Sequence, residues 1–415
     1  MKSTTAGEHL SERTPFRLVA LTREPVRGGP SRTALFAKGF RPFFLAAALF
    51  AAFGVPFWVA TLVGSPPWRP PENPLGWHAH EMVFGFAGAV LAGFLLTAVG
   101  NWTSRPTLEG WGLGALVATW LGARVLPFVP AGSGVPAAVV DVAFWLALLA
   151  ACARPIVAAR NRRNYGFLAL LSGFALAAAA SHAHRLGAIA HDGFSVRSAG
   201  VDLVTVALVV MTGRVVPMFT RNATGATDIR ESKFVDRTAA AATALLVVLD
   251  LASAPLLLSA IPAGIAGAFL LVRAAFFGPR HALGNPLLWV LHLGHLWVAV
   301  GLVLRGLVPL VPWLPSSIAL HAVTAGGLGL LSFGMMTRVT LGHTGRMLAA
   351  PKSTAVAMLA LSVAALLRVV GPLVAPEHVP LLFGSAAALW SVAFLTYVFA
   401  FGRALVTPRV DGRPG

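Results

Sequence analysis

The sequence predicts an all-α polytopic membrane protein with about 12 transmembrane helices and both termini in the cytoplasm. Three observations predict it: composition, the lengths of the apolar runs and the placement of positive charge. Of the 415 residues, 57% are hydrophobic and 11% charged, which is more apolar surface than a soluble core can bury. About twelve runs, at 42–63, 78–99, 111–129, 135–153, 165–183, 199–219, 238–254, 256–274, 284–304, 318–337, 354–373 and 380–401, approach the length a helix needs. That length is roughly 20 residues for about 30 Å of hydrocarbon. With the N-terminus inside, 26 of the 32 Lys and Arg fall on inner segments and 6 on outer ones, the bias that orients membrane helices.

Taken in order, residues 1–37 are polar, Arg-rich and broken by Pro15, Pro25 and Pro30. They read as a disordered basic cytoplasmic tail, without the apolar core of a cleaved signal peptide. Residues 38–403 form a single 12-helix transmembrane domain and 404–415 a short cytoplasmic tail. Arg160 to Asn164 and the longest loop, Thr220 to Arg237, lie inside. Pro66 to Pro71 and Val308 to Pro315 are outer turns stiffened by proline. The seventh and eighth spans are the weakest, because Pro255 and Pro262 leave them short and barely separated; a single re-entrant element there would invert everything after it. The formal charge of +17 punctuates apolar runs rather than forming stripes, so its role is topological and no nucleic-acid partner follows. The lone cysteine, Cys152, excludes an internal disulfide, and without a CxxCH a covalently attached haem is excluded as well. Any transition metal therefore falls to histidine.

Polar side chains inside apolar runs need compensation. Trp77-His78-Ala79-His80-Glu81 opens the second span, His182 and His184 close the fifth, and His321 opens the tenth; this topology brings all of them to the outer level. Asp141, Asp202 and Asp250, and the arginines that break the charge bias, Arg124, Arg185, Arg305 and Arg368, fall at the same depth. His78 and His80 differ by about 200° around a helix, so they point to opposite faces and serve two centres better than one. His78 and Glu81 share a face, which suits a ligand and its carboxylate partner or a proton relay. His292 and His295, at i and i+3, sit near mid-span on one helix face, where a bound copper, iron or haem would compensate them. Arg214, Arg338 and His343 lie near inner helix ends, where arginine can anchor topology or hold haem propionates.

Several of these stretches resemble the NnrS family. They are Lys38 to Phe44, Trp77 to Met82, Phe84 to Thr103, Thr212 to Pro217, and His321 to Arg346 with its Met335-Met336-Thr337-Arg338 and Leu341-Gly342-His343-Thr344-Gly345-Arg346 segments. The resemblance covers nearly the whole chain after the first 35 or so residues, with Gly100 standing where the family pattern has proline before Asn-Trp-Thr. It implies a twelve-helix bacterial inner-membrane protein that contains haem, here b-type and non-covalent, together with copper, and that belongs to the response to nitric oxide. Depth and helix geometry alone make His78, His80, His292, His295 and His321 the candidate metal ligands. Arg214, Arg338, His182, His184 and His343 contact the cofactors, and Glu81 acts beside a ligand or as a proton relay. The expected partners are nitric oxide or another small neutral ligand, the lipid bilayer and a membrane electron donor. Two other readings stand beside it: a transporter whose outer His/Glu/Arg cluster binds a metal ion or small anion without redox turnover, and a cofactor-bearing sensor.

Overall fold

The computed structural model describes residues 33–64, 74–189 and 193–413. The N-terminal tail up to residue 32, the Pro66 to Pro71 turn and His191 lie outside the described residues. No strand occurs among the described residues, and eleven helices are long and apolar enough to cross a membrane. In chain order the long helices are α1 Phe40–Val63, α2 Pro74–Thr103, α3 Gly110–Val125, α4 Val135–Ala158, α5 Tyr165–Arg185 and α6 Gly193–Thr224. They continue with α7 Lys233–Leu251, α8 Leu256–Phe276, α9 Pro286–Leu307, α10 Ser316–His343, α11 Lys352–Val369 and α12 Val379–Val406. The helix outside the eleven is α7, in which Lys233, Asp236, Arg237 and Asp250 interrupt the apolar run.

The weak seventh and eighth spans are two separate helices. Ser232 caps α7 by accepting from the Val235 amide at 3.4 Å. Pro255 stands at the N-cap of α8, where its missing N–H costs nothing, while Ser253 takes the left-handed backbone that turns the chain. α7 and α8 then pack against one another. Elsewhere proline also marks first turns, as at Pro286, where Asn285 caps α9 by accepting from Leu287 N at 3.0 Å.

Consecutive helices pack as neighbours and α1 packs on α12, so the order closes on itself. α2 and α10 are enclosed most completely: 72% of the most apolar window is buried in each. Both enter the bundle a little earlier than hydropathy alone indicates, at Pro74 and Ser316, because the polar residues of a first turn fall outside an apolar window. His78, His80 and His321 consequently lie a turn or more inside their helices. α1 and α12 are clasped by Arg41, which is fully buried and donates from one terminal nitrogen to the carbonyls of Ala404, Leu405 and Thr407 at 3.1, 3.0 and 2.8 Å. Those carbonyls belong to the last turn of α12 and its C-cap residue Thr407, where no intrahelical partner remains.

Candidate metal centre and cofactor cavity

Directly after its histidine, each of the two innermost helices widens into a π-helical segment: Glu81–Ala87 after His80, and Ala322–Leu328 after His321. Such wide turns shift side chains out of α-helical register and leave carbonyls short of partners, and they cluster at functional sites. In α2 the indole of Trp120 donates to Gly85 O at 3.1 Å. Gly85 also has to be small: a Cβ there would stand 2.7 Å from Glu81 Oε2 and 3.0 Å from Arg124 NH1.

His78 and His80 project to opposite sides of α2. On one side, His80, Asp141 of α4 and His182 of α5 converge, each fully or almost fully buried, with one ligating atom from each within 4.8 Å of the others. Asp141 Oδ2 accepts from His80 Nε2 at 3.1 Å and from His182 Nε2 at 2.9 Å. Its Oδ1 accepts from Arg124 NH2 at 2.5 Å, and Arg124 NH1 faces Glu81 Oε2 at 3.2 Å. Arg185 NH2 donates to His182 Nδ1 at 2.5 Å, and the Ser181 hydroxyl lies 3.2 Å from His80 Nδ1. A guanidinium can only donate, so His182 Nδ1 is the acceptor of the Arg185 bond. Two arginines and two carboxylates thus surround the two imidazoles. Two imidazoles and a carboxylate are also a donor set for copper, iron or zinc, which would take the place of the Nε2 protons.

On the other side of α2 lies a cavity of about 750 Å³, lined mostly by apolar side chains and by His78, His321, Arg368, Asp202, Asp250 and Arg305. Its size falls within the roughly 300–1,000 Å³ of small-molecule and cofactor pockets. The His78 ring stacks on Trp58 with centroids 4.0 Å apart, and its Nδ1 is buried without a hydrogen-bond partner. His321 Nδ1 lies 2.7 Å from Ser317 O and 3.0 Å from Arg368 NH2. The guanidinium of Arg368 sits 4.2 Å from the Phe383 ring centroid, with Nε and NH1 buried and unpartnered. An unpaired imidazole nitrogen and an unpaired guanidinium edge on one apolar cavity are the features that a haem, with its iron and its propionates, would satisfy.

The remaining sequence candidates lie apart from these two places. His292 Nε2 is 2.9 Å from Thr220 Oγ1 of α6, whereas His295 Nε2 donates to Leu270 O of α8 at 3.1 Å and leaves Nδ1 buried and unpartnered. The two rings are thus held by different neighbouring helices. His184 closes α5 with its Nδ1 buried and unpartnered. At the opposite end of the bundle, Arg214 donates to Asn164 Oδ1 at 2.7 Å and lies 5.1 Å from the Phe167 ring. Arg338 lies 3.8 Å from the Phe219 ring, and the His343 ring lies 5.6 Å from that of Phe40. Asp141 is the ligand candidate that sequence reasoning left out of the metal set; its only signal was a carboxylate inside an apolar run.

Fold and site together define a polytopic helical membrane protein with a buried, metal-capable His/Asp group beside an apolar cavity. The chain belongs to the NnrS family: the family model described as NnrS protein matches residues 34–409, nearly its whole length. No curated protein matches the chain.

Proposed function

We propose that this is a haem- and copper-binding protein of the bacterial inner membrane that binds or turns over nitric oxide. The observation that carries the reading is the division of α2, with His78 facing the cavity and His80 in the three-residue group with Asp141 and His182. In this proposal His78 and His321 hold a b-type haem, Arg368 pairs with a propionate, and His80 and His182 hold the smaller metal with Asp141. Bound haem and copper would supply a ligand position for nitric oxide and a route for electrons. Glu81 keeps Arg124 oriented toward Asp141 and stands where a proton could be relayed. His292 and His295 are held through Nε2 by Thr220 and Leu270, which leaves His295 Nδ1 as the nitrogen a centre at that level would use. Arg214, Arg338 and His343 serve the opposite end of the bundle.

The topology proposed with this function has twelve spans, α7 among them, a basic tail over residues 1–37, a short tail after 403, and both termini in the cytoplasm. α7 is 19 residues long, about 28 Å at 1.5 Å per residue, which suits a crossing. Nitric oxide is neutral and partitions into lipid, so the cavity needs no polar channel. The transporter alternative calls for unwound mid-span helices; α2 and α10 instead pass through wide turns while remaining helical.

The test is an optical spectrum with elemental analysis of the purified protein, repeated on three variants. The expected result is a Soret band with iron and copper in the wild type. His78→Ala and His321→Ala should each alter the visible spectrum and spare copper, while His80→Ala should lower copper and spare the haem bands. Absence of a Soret band and of both metals would sink the proposal.

A further inference from the structure

Asp202 of α6 and Asp250 of α7 are held by one guanidinium from α9. Arg305 donates through NH1 to Asp202 Oδ1 at 2.5 Å and through NH2 to Asp250 Oδ1 at 2.8 Å. All three residues line the cavity. Asp202 is 1% exposed, and its second oxygen, Oδ2, is buried without a hydrogen-bond partner. The other titratable and charged groups on the cavity wall are Arg197 of α6, His78 of α2, His321 of α10 and Arg368 of α11. Among the described residues none of these forms an ion pair with either aspartate.

Two carboxylates on one cation leave a net charge of −1 in an apolar setting, where an uncompensated charge is far more costly than a neutral carboxylic acid. Carboxylates that share a site resolve the conflict by keeping one proton between them. Asp202 is where that proton belongs, because no donor reaches its Oδ2 to favour the charged form. Asp250 is the better carrier of the remaining charge, since its side chain is 12% exposed against 2% for Asp202.

We infer that Asp202 and Asp250 form a shared-proton carboxyl pair on Arg305, from which a proton passes to a small anion bound in the cavity. In that step the O–H bond of Asp202 breaks and the ligand's basic atom takes the proton. The second carboxylate so formed stays beside Arg305. No electron moves, and the inference stands on the pair and the cavity whether or not the cavity holds haem.

Infrared difference spectroscopy of the purified full-length protein tests it. At neutral pH the wild type should show the carbonyl stretch of a protonated carboxyl, shifted in D₂O, and azide added as a small anionic probe should displace the band. Asp202→Asn should abolish the band. Asp250→Asn should abolish it too, because one carboxylate then faces one guanidinium and needs no proton; Asp141→Asn should leave it in place. A wild type without the band, or a band that survives both the Asp202 and Asp250 substitutions, overturns the shared proton. A band that azide does not move overturns its link to the cavity. Metal and haem content play no part in the two aspartate-substitution readings, so their outcome is independent of the haem and copper assignment.

Discussion

Asp141→Asn is the sharpest perturbation of the metal-capable group. Three donors converge on this carboxylate: His80 Nε2 at 3.1 Å, His182 Nε2 at 2.9 Å and Arg124 NH2 at 2.5 Å. An asparagine of the same shape offers one acceptor oxygen in place of two and turns an N–H₂ toward these donors. At least one buried donor then loses its partner, at about 1–3 kcal/mol, and Arg124 loses its closest anion with only Glu81 left at 3.2 Å. Removing one member of a buried pair costs about 3–5 kcal/mol, and since both effects describe the same lost anion, that range is the expected total. The assay is equilibrium unfolding in detergent micelles, with copper measured on the same samples. If Asp141→Asn stays within about 1 kcal/mol of wild type and any metal content is unchanged, the carboxylate is not the hub of the group.

Two further outcomes concern the frame around the site. Arg41→Ala should free the last turn of α12: hydrogen bonds from charged groups contribute about 1.5–3 kcal/mol each, and the variant should be clipped sooner by protease near Thr407 while α1 remains intact. Gly301→Ala should destabilise by about 1–3 kcal/mol, because the new Cβ would stand 2.8 Å from the Val323 backbone nitrogen, which cannot move without parting α9 from α10. Gly384→Ala, with nothing within 4 Å, should gain about 0.5–1 kcal/mol from helix propensity alone; equal effects at the two positions in unfolding experiments would refute the close-packing argument.

Most of the helical frame was legible because a span leaves a long, redundant signal. The boundaries were less so: the apolar window began at 78, yet α2 begins at Pro74, and that turn decides whether His78 sits at a surface or inside. Charge outliers were the better guide to the site. Four of the six arginines on outer segments meet partners at the His78 end of the bundle: Arg124 meets Asp141, Arg185 meets His182, Arg305 meets Asp202 and Asp250, and Arg368 meets His321. An arginine misplaced for topology is there for a local reason, and one sequence suffices to see it. Which carboxylate joins which histidine was not visible, because Asp141, His80 and His182 are brought together by packing among α2, α4 and α5 that no spacing encodes. The separation of His292 from His295 was hidden for a similar reason: i, i+3 spacing places two rings on one helix face, but Thr220 and Leu270 belong to helices on either side of that face.

The two π segments carry the deepest regularity, and one that hydropathy could not reveal. In α2, His80 is followed by seven π-helical residues with glycine at the fifth and eighth positions after the histidine, Gly85 and Gly88. In α10, His321 is followed by seven π-helical residues with Gly326 and Gly329 at the same two positions. These glycines are tight for different neighbours. A Cβ at Gly326 would stand 2.5 Å from Trp297, at Gly329 2.5 Å from Trp390, and at Gly88 3.1 Å from Trp145. The shared feature is therefore the close approach rather than any one partner, and it lets a widened turn fit inside a packed bundle. A π turn places one more residue in a turn than an α turn does, so the face following each histidine is rotated away from ideal α-helical register. His80 thereby stays with α4 and α5 while the residues beyond it, Met82, Val83 and Phe86, reach the cavity wall. In α10, His321 and Thr324 line that cavity together. The partition between a metal-capable group and a cofactor-sized cavity thus depends on helix geometry as much as on which residues are histidine.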